Sequence, residues 1–304
     1  MTELPKPLIV ITGPTASGKS SLSLAIAKKY SGEIICADSR TVYRGMDIGT
    51  AKPTKAERQE VPHHLLDVAA PDESFTAADF KEQAVAAIDD ISRRKKLPII
   101  VGGTGLYIDS LIFNYQFGES ADPIRRAQLQ DLAVTQLQQM CLMEGITLPE
   151  NTKNKRHLIR AIELGGITNQ KKRLRPNTIV VALTTDRDNL RSRVMERAQG
   201  MVEQGVLKEV EKLGKKYTWT GEALTGSIYR IMHPVVDGEL SVEEGINQVV
   251  TSDMQLAKRQ MTWLKRNPYI VWGSPDQLML AIEHFVHQNK LIESMPAPPL
   301  SATI

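Results

Sequence analysis

Eight consecutive residues, Gly13-Pro14-Thr15-Ala16-Ser17-Gly18-Lys19-Ser20, carry the densest chemical information in the chain. They satisfy G-x-x-x-x-G-K-[ST] in full. The glycines let the backbone wrap closely around an anion with its N–H groups turned inward. Lys19 supplies a point charge, and the Ser20 hydroxyl can hold Mg²⁺. The pattern predicts a diphosphate or triphosphate site without specifying a nucleotide. A chance match on a glycine-rich turn is the competing explanation, and the flanks disfavour it. Leu8-Ile9-Val10-Ile11-Thr12 reads as a strand directly before the motif, and Ser20–Lys29 as a helix directly after it.

A second chemical group is expected nearby. Many phosphate-loop enzymes hold Mg²⁺ with an Asp at the end of a later strand. Here Leu97-Pro98-Ile99-Ile100-Val101 runs instead into Gly102-Gly103-Thr104-Gly105, with no carboxylate. The acid at a strand end is Asp38, after Glu33-Ile34-Ile35-Cys36-Ala37. In a parallel sheet the strand C-termini open into one crevice, which places Asp38 beside the loop. Asp-Ser is also good cap and turn chemistry. Position alone leaves those two readings even.

The elements that must position these groups follow from patterning. The apolar runs are continuous rather than alternating, as in strands buried on both faces of a parallel sheet. Thr178–Leu183 adds a fourth run and Tyr269-Ile270-Val271 a fifth. Ser20–Lys29 and 76–95 read as helices, so the order βαβα predicts an α/β fold. Between about residues 118 and 177 the alternation stops. Ala121–Gly145 reads as one helix and Lys155–Leu164 as another, a helical insertion. Arg187–Leu213 and Ser241–Leu264 again read as helices. The expected organisation is a discontinuous core, 1–117 and 178–290, an insertion at 118–177, and a frayed Pro-, Ala- and Ser-rich tail at 291–304.

Charge is split along the chain. Residues 1–152 hold 16 Lys+Arg against 19 Asp+Glu, a net of −3, and residues 153–304 hold 22 against 16, a net of +6. A polyanion facing the second half is consistent with that asymmetry. Two cysteines, Cys36 and Cys141, exclude a disulfide framework and a Cys-based zinc finger. No leader or bilayer-length apolar run is visible, so a cytoplasmic, soluble monomer is expected. His63-His64 has no supporting Cys or carboxylate cluster, and a structural or substrate-shaping role fits better than a metal. Trp263 and Trp272 read as packing residues.

Several longer segments together are recognisable. The loop Gly13–Ser20 is followed by Ala37-Asp38-Ser39-Arg40-Thr41-Val42-Tyr43-Arg44-Gly45-Met46-Asp47-Ile48-Gly49-Thr50-Ala51-Lys52-Pro53. Then come Pro62-His63-His64-Leu65-Leu66-Asp67 and Val101-Gly102-Gly103-Thr104-Gly105-Leu106-Tyr107. The second half carries Arg187, Leu190, Arg193 and Arg197 at spacings three, three and four. It continues with Met201-Val202, Gly205-Val206, Glu209-Val210 and Ala257-Lys258-Arg259-Gln260-Met261-Thr262-Trp263. From about Leu8 to Trp272 the series resembles the tRNA dimethylallyltransferases, also called tRNA isopentenyltransferases.

That resemblance implies a nucleoside-kinase-like P-loop sheet flanked by helices, with an α-helical insertion domain. It implies transfer of the dimethylallyl group of dimethylallyl diphosphate to N6 of the adenosine 3′ of the anticodon in certain tRNAs, with Mg²⁺. The loop Gly13, Pro14, Thr15, Ala16, Ser17, Gly18, Lys19 and Ser20 would bind the diphosphate. Asp38 would be the general base, with Arg193 and Thr15 at the leaving group. On sequence alone Arg187, Arg193 and Arg197 could equally form one solvated helix face, and the resemblance gives Arg187 and Arg197 no settled role. The tRNA anticodon stem-loop would meet Asp38, Ser39, Arg40, Thr41, Thr104 and Arg126, and the stretch Arg156-His157-Leu158-Ile159-Arg160. From Lys153 to Arg175 there are eight Lys or Arg and one acid, Glu163. Such a block can track phosphates.

The sequence departs from the family pattern at Arg40-Thr41, at Ile228 and Ile231 around Tyr229-Arg230, at Met254, and in a shorter insertion between Met143 and Asn154. Two other functions share parts of the pattern. A P-loop small-molecule or nucleoside kinase would release ADP, whereas a prenyltransferase releases diphosphate without ATP. An RNA-binding protein without catalysis would have no use for Asp38 beside Lys19, Ser20 and Arg193.

Overall fold

The structure, a computed structural model, describes residues 6–117, 122–149, 151–166, 173–219, 221 and 223–289. The chain forms two compact units, one from residues 1–112 with 173–304, the other Phe113–Lys172. The insertion therefore begins and ends five residues earlier than 118–177. Arg175 belongs to the core unit: its N–H donates to the Ile112 carbonyl (2.8 Å) and its guanidinium to the Lys6 carbonyl (2.6 Å). The proposed tail, 291–304, lies outside the described residues.

In the core the chain runs β1 (Leu8–Thr12), α1 (Lys19–Lys29), β2 (Gly32–Cys36), α2 (Lys55–Glu60), β3 (His63–His64), α3 (Ala77–Arg93), β4 (Leu97–Val101) and α4 (Gly105–Ile112). The insertion holds α5 (Pro123–Asp131), α6 (Val134–Met143) and α7 (Lys155–Glu163). The core resumes with β5 (Thr178–Leu183), α8 (Arg187–Glu203), α9 (Val206–Lys216), α10 (Ser227–Val236), α11 (Val242–Leu264), β6 (Ile270–Gly273) and α12 (Pro275–Gln288).

The sheet is parallel throughout, in the order β3-β2-β4-β1-β5-β6. β1 is central: Ile9 pairs with Ile99 on one side and with Ile179 on the other. Every residue of β1 and β2 is buried, including Glu33 of β2, whose carboxylate is paired with Arg94 and His64. Each fully buried Ile or Leu here contributes roughly 1.5–3 kcal/mol. The chain leaves β1 toward β2 and β3, then returns to the other flank through β5 and β6. β1 is thus the switch point, and its C-terminal end is where such sheets take ligands.

Two expected helices are each broken in two. Ala121–Gly145 divides at Leu132-Ala133, both in extended backbone, and the Gln136 side chain accepts the Ala133 N–H (2.8 Å) to restart the helix. The break turns both Leu129 and Leu137 inward. Arg187–Leu213 divides at Gly205, whose φ of 97° is left-handed and suits glycine. Five elements among those named were not foreseen: α2, α4, α10, β3 and α12. β3 is only His63–His64 and has no apolar run to betray it. α12 packs Leu278, Ile282 and Val286 against the sheet. The insertion has its own small core of Leu129, Leu137, Cys141, Ile146, Leu158, Ile159 and Ile162. Among the described residues no helix is long and apolar enough to cross a membrane.

Candidate active site

The loop Gly13–Ser20 sits at the C-terminal end of β1 and opens α1. Gly13 (φ 142°), Ala16 (φ 57°) and Gly18 (φ 96°) turn its backbone inward. Gly18 is the N-cap of α1 and no side chain caps the helix, so its first-turn N–H groups are left for an anion. The Ser17 hydroxyl is buried with no hydrogen-bond partner. Lys19 folds back, donating to the carbonyls of Gly13 (3.1 Å) and Pro14 (2.6 Å). Burial of its ammonium lowers its pKa to about 8; Asp38 raises it and Arg197 lowers it further. A desolvated cation beside uncapped N–H groups is an arrangement that favours an anion.

α8 delivers two arginines to this loop. Arg193 donates to the Ser17 carbonyl (3.4 Å), and one turn later Arg197 donates to Thr15 Oγ1 (2.7 Å). The Nε of Arg197 is buried without a partner. Arg197, left open in the sequence, is therefore the arginine most engaged with the loop. Arg187 is an exposed residue at the start of the helix. Asp253, on α11, feels the Arg197 charge; burial raises its carboxyl above the usual range, opposed by Arg197 and by the Ser227 hydroxyl.

Asp38 follows β2 and is half-buried. One oxygen accepts the Arg40 N–H (2.8 Å), an Asx turn that fixes the carboxylate. Asp38 thus shapes a turn, and its charge also raises the pKa of Lys19. The turn is tied to β4's end. Ser39 N–H donates to Thr104 Oγ1 (3.0 Å), and Thr104 N–H to the Ala37 carbonyl (3.2 Å). This contact explains Gly102, where a Cβ would lie 2.0 Å from the Ala37 carbonyl oxygen. Thr41 is buried, with its hydroxyl toward the Asp38 carbonyl (3.4 Å). The Arg40 guanidinium reaches the Ala223 carbonyl (3.4 Å), so this departure from the family pattern is tied into the core.

Two residues act here that sequence reasoning quoted without a role. Gln260, on α11, accepts the Thr15 N–H (2.8 Å) and donates to the Gly103 carbonyl (3.1 Å). Glu209, on α9, accepts the N–H groups of Asp47, Ile48 and Gly49 (2.9, 2.8 and 2.9 Å) and the Tyr229 hydroxyl (2.8 Å). It pins the loop downstream of Asp38. Lys52 anchors the same loop, donating to the Tyr43 carbonyl, Asp47 and Asp67. Ile228 and Ile231 are buried beside Tyr229, so these departures alter packing rather than an exposed surface.

No group of three His, Cys, Asp or Glu able to bind a metal occurs among the described residues. His63 instead contacts the Val61 carbonyl and His64 the buried Glu33, which Arg94 also pairs. Near the loop the donors are the exposed Ser20 hydroxyl and the Asp38 carboxylate. That set suits an ion such as Mg²⁺ that keeps its waters and arrives with phosphate oxygens.

In the insertion, α7 presents Arg156 and His157 to solvent, with Arg160 half-buried. Leu158 and Ile159 are 0% and 4% exposed in the insertion's core. Of the stretch Arg156–Arg160 that the resemblance assigns to tRNA, the exposed side chains are therefore those of Arg156 and His157, with Arg160 partly exposed. Arg126 and Arg160 converge on Glu163 (3.2 and 3.4 Å).

A phosphate-loop motif at the switch point of a parallel sheet, ringed by Lys19, Arg193 and Arg197 with Asp38 at the next strand end, defines a P-loop-like α/β protein. The comparisons make that particular. A family model described as IPP transferase matches residues 41–267. A tRNA dimethylallyltransferase of Pelotomaculum thermopropionicum is 39% identical, with 92% of each chain covered. That of Bacillus subtilis is 36% identical, over 90% of this chain and 92% of its own. The crystal structure of the tRNA isopentenylpyrophosphate transferase of Bacillus halodurans superposes with a TM-score of 0.72 at 35% identity, covering 95% of this chain and 98% of the other. This chain belongs to the IPP transferase family.

Proposed function

We propose that this protein transfers the dimethylallyl group of dimethylallyl diphosphate to N6 of the adenosine 3′-adjacent to the anticodon of certain tRNAs, releasing diphosphate. The observation that carries the reading is the convergence of Arg197 and Thr15, Lys19 and Asp38 at one end of the sheet. The relatives' name, tRNA dimethylallyltransferase, supports it.

The chemistry follows from the groups. An adenine amino nitrogen is a weak nucleophile because its lone pair is delocalised into the ring. As its bond to the allylic carbon forms, Asp38 accepts the proton. The carbon–oxygen bond breaks and its electron pair leaves on the diphosphate. Lys19, Arg197, Arg193 and the α1 N-terminus meet that charge as it develops. The Ser20 hydroxyl would hold Mg²⁺, which would supply further charge neutralisation. The target base leaves its stack to reach such a site. Ser39, Arg40, Thr41 and Thr104 surround the amine end, while Arg126, Arg156, His157 and Arg160 of the insertion contact the tRNA backbone.

The test is incubation with labelled dimethylallyl diphosphate, Mg²⁺ and an adenosine-bearing anticodon stem-loop. Label is expected in the RNA, with diphosphate released and no ATP required. Absence of labelled RNA at any salt concentration, or ADP release on supplying ATP and a nucleoside, would sink the proposal.

A further inference from the structure

We infer that Gln260 is a positioning residue that sets the separation between the leaving-group loop and the turn that receives the base. The inference rests on the prenyl-transfer reading above. Its amide is bonded at both ends, each to a different half of the site. Oε1 accepts from the N–H of Thr15 in the diphosphate loop, and Nε2 donates to the carbonyl of Gly103. Gly103 precedes Thr104, whose hydroxyl accepts from Ser39, the neighbour of Asp38. One uncharged side chain thereby links the diphosphate end to the proton-accepting end.

The surroundings are shaped for this bridge. At Gly103 a Cβ would stand 2.3 Å from Gln260 Nε2, so only glycine leaves the amide its place. One turn further along α11, the Trp263 indole N–H donates to Asp109 (2.7 Å). A Cβ at Gly105 would lie 2.2 Å from the Trp263 ring. Gln260 therefore projects from a helix docked against the same turn, not from a mobile loop. A displacement in which one bond forms while another breaks in line depends on that spacing; a 1 Å error costs about 10²-fold in rate. A glutamine that merely satisfied two backbone groups would affect stability and leave the chemical step alone.

The experiment compares Gln260→Met, which keeps volume and removes both bonds, with Gln260→Glu, which keeps an acceptor for Thr15 and loses the donor to Gly103. Single-turnover transfer to the stem-loop is measured with donor KM, RNA Kd and Tm. Both variants are expected to slow transfer about 10–100-fold, with donor KM and RNA Kd within about threefold of the unsubstituted protein. Single-turnover rates within about twofold in both variants, a loss confined to donor KM, or failure of both to fold would overturn the inference. No transfer by the unsubstituted protein would overturn the prenyl-transfer reading itself; normal transfer by all three proteins would overturn the role of Gln260 alone.

Discussion

Replacing Arg197 with alanine separates catalysis from stability. Its guanidinium commits one N–H to Thr15 Oγ1 at 2.7 Å and holds Nε buried without a partner. Nε–H is thus the donor left for an oxygen that gains charge as the diphosphate leaves. If it is worth about 1.5–2 kcal/mol more to the leaving diphosphate than to the bound donor, its loss costs roughly 10–30-fold in kcat. The same change removes a like charge from Lys19, since Arg197 lowers the lysine's pKa. Relief of that repulsion offsets the lost Thr15 contact, and Tm is expected to stay within about 3 °C. The assay is label transfer from dimethylallyl diphosphate to a stem-loop under single-turnover conditions, with RNA affinity measured separately. A kcat within about fivefold of the parent, or a defect seen only in RNA affinity, would refute the assignment of Arg197 to the leaving group.

Asp38→Asn should slow transfer about 10²–10⁴-fold with RNA Kd within about threefold, because it removes a base and keeps the shape; a near-normal rate would end its role as proton acceptor. Lys19, with its pKa lowered to about 8, loses its charge in the free protein as pH rises through 8, so affinity for a diphosphate monoester should fall above that value, and calorimetry of Lys19→Met should show a flat profile. The folded state binds this proton less tightly than the unfolded chain, so Lys19 contributes a penalty to folding below pH 8 that is relieved as pH rises toward 10.5. Glu209→Ala strands three backbone N–H groups and the Tyr229 hydroxyl, and should lower unfolding free energy in urea by about 3 kcal/mol; a loss under about 1 kcal/mol would show the loop to be held chiefly by Lys52.

What could be read from sequence was what is local in sequence. The loop Gly13–Ser20 lies between an apolar strand and a helix that together verify it, and Asp38 sits at a strand end that parallel topology points toward the same crevice. Arg197 was undecided because three arginines on one helix look alike until a fold says which face meets the loop. Gln260 and Glu209 bind backbone groups 245 and about 160 residues away, and no periodicity announces such pairings. Leu158 and Ile159 came with a motif carried over as a whole, and the structure buries both. Their spacing with Ile162, at steps of one and three, already describes the buried stripe of a helix. The breaks in the two long helices depended on capping details, one at Gly205 and one without any glycine at all.

Thr15 receives its arginine from 182 residues downstream and its glutamine from 245 downstream. A chain truncated between Arg197 and residue 260 keeps the complete phosphate-loop signature and the arginine on Thr15, yet lacks the amide that ties Thr15 to Gly103. A whole motif in a fragment is therefore not a whole site, because one of the loop's distant supports is supplied by α11.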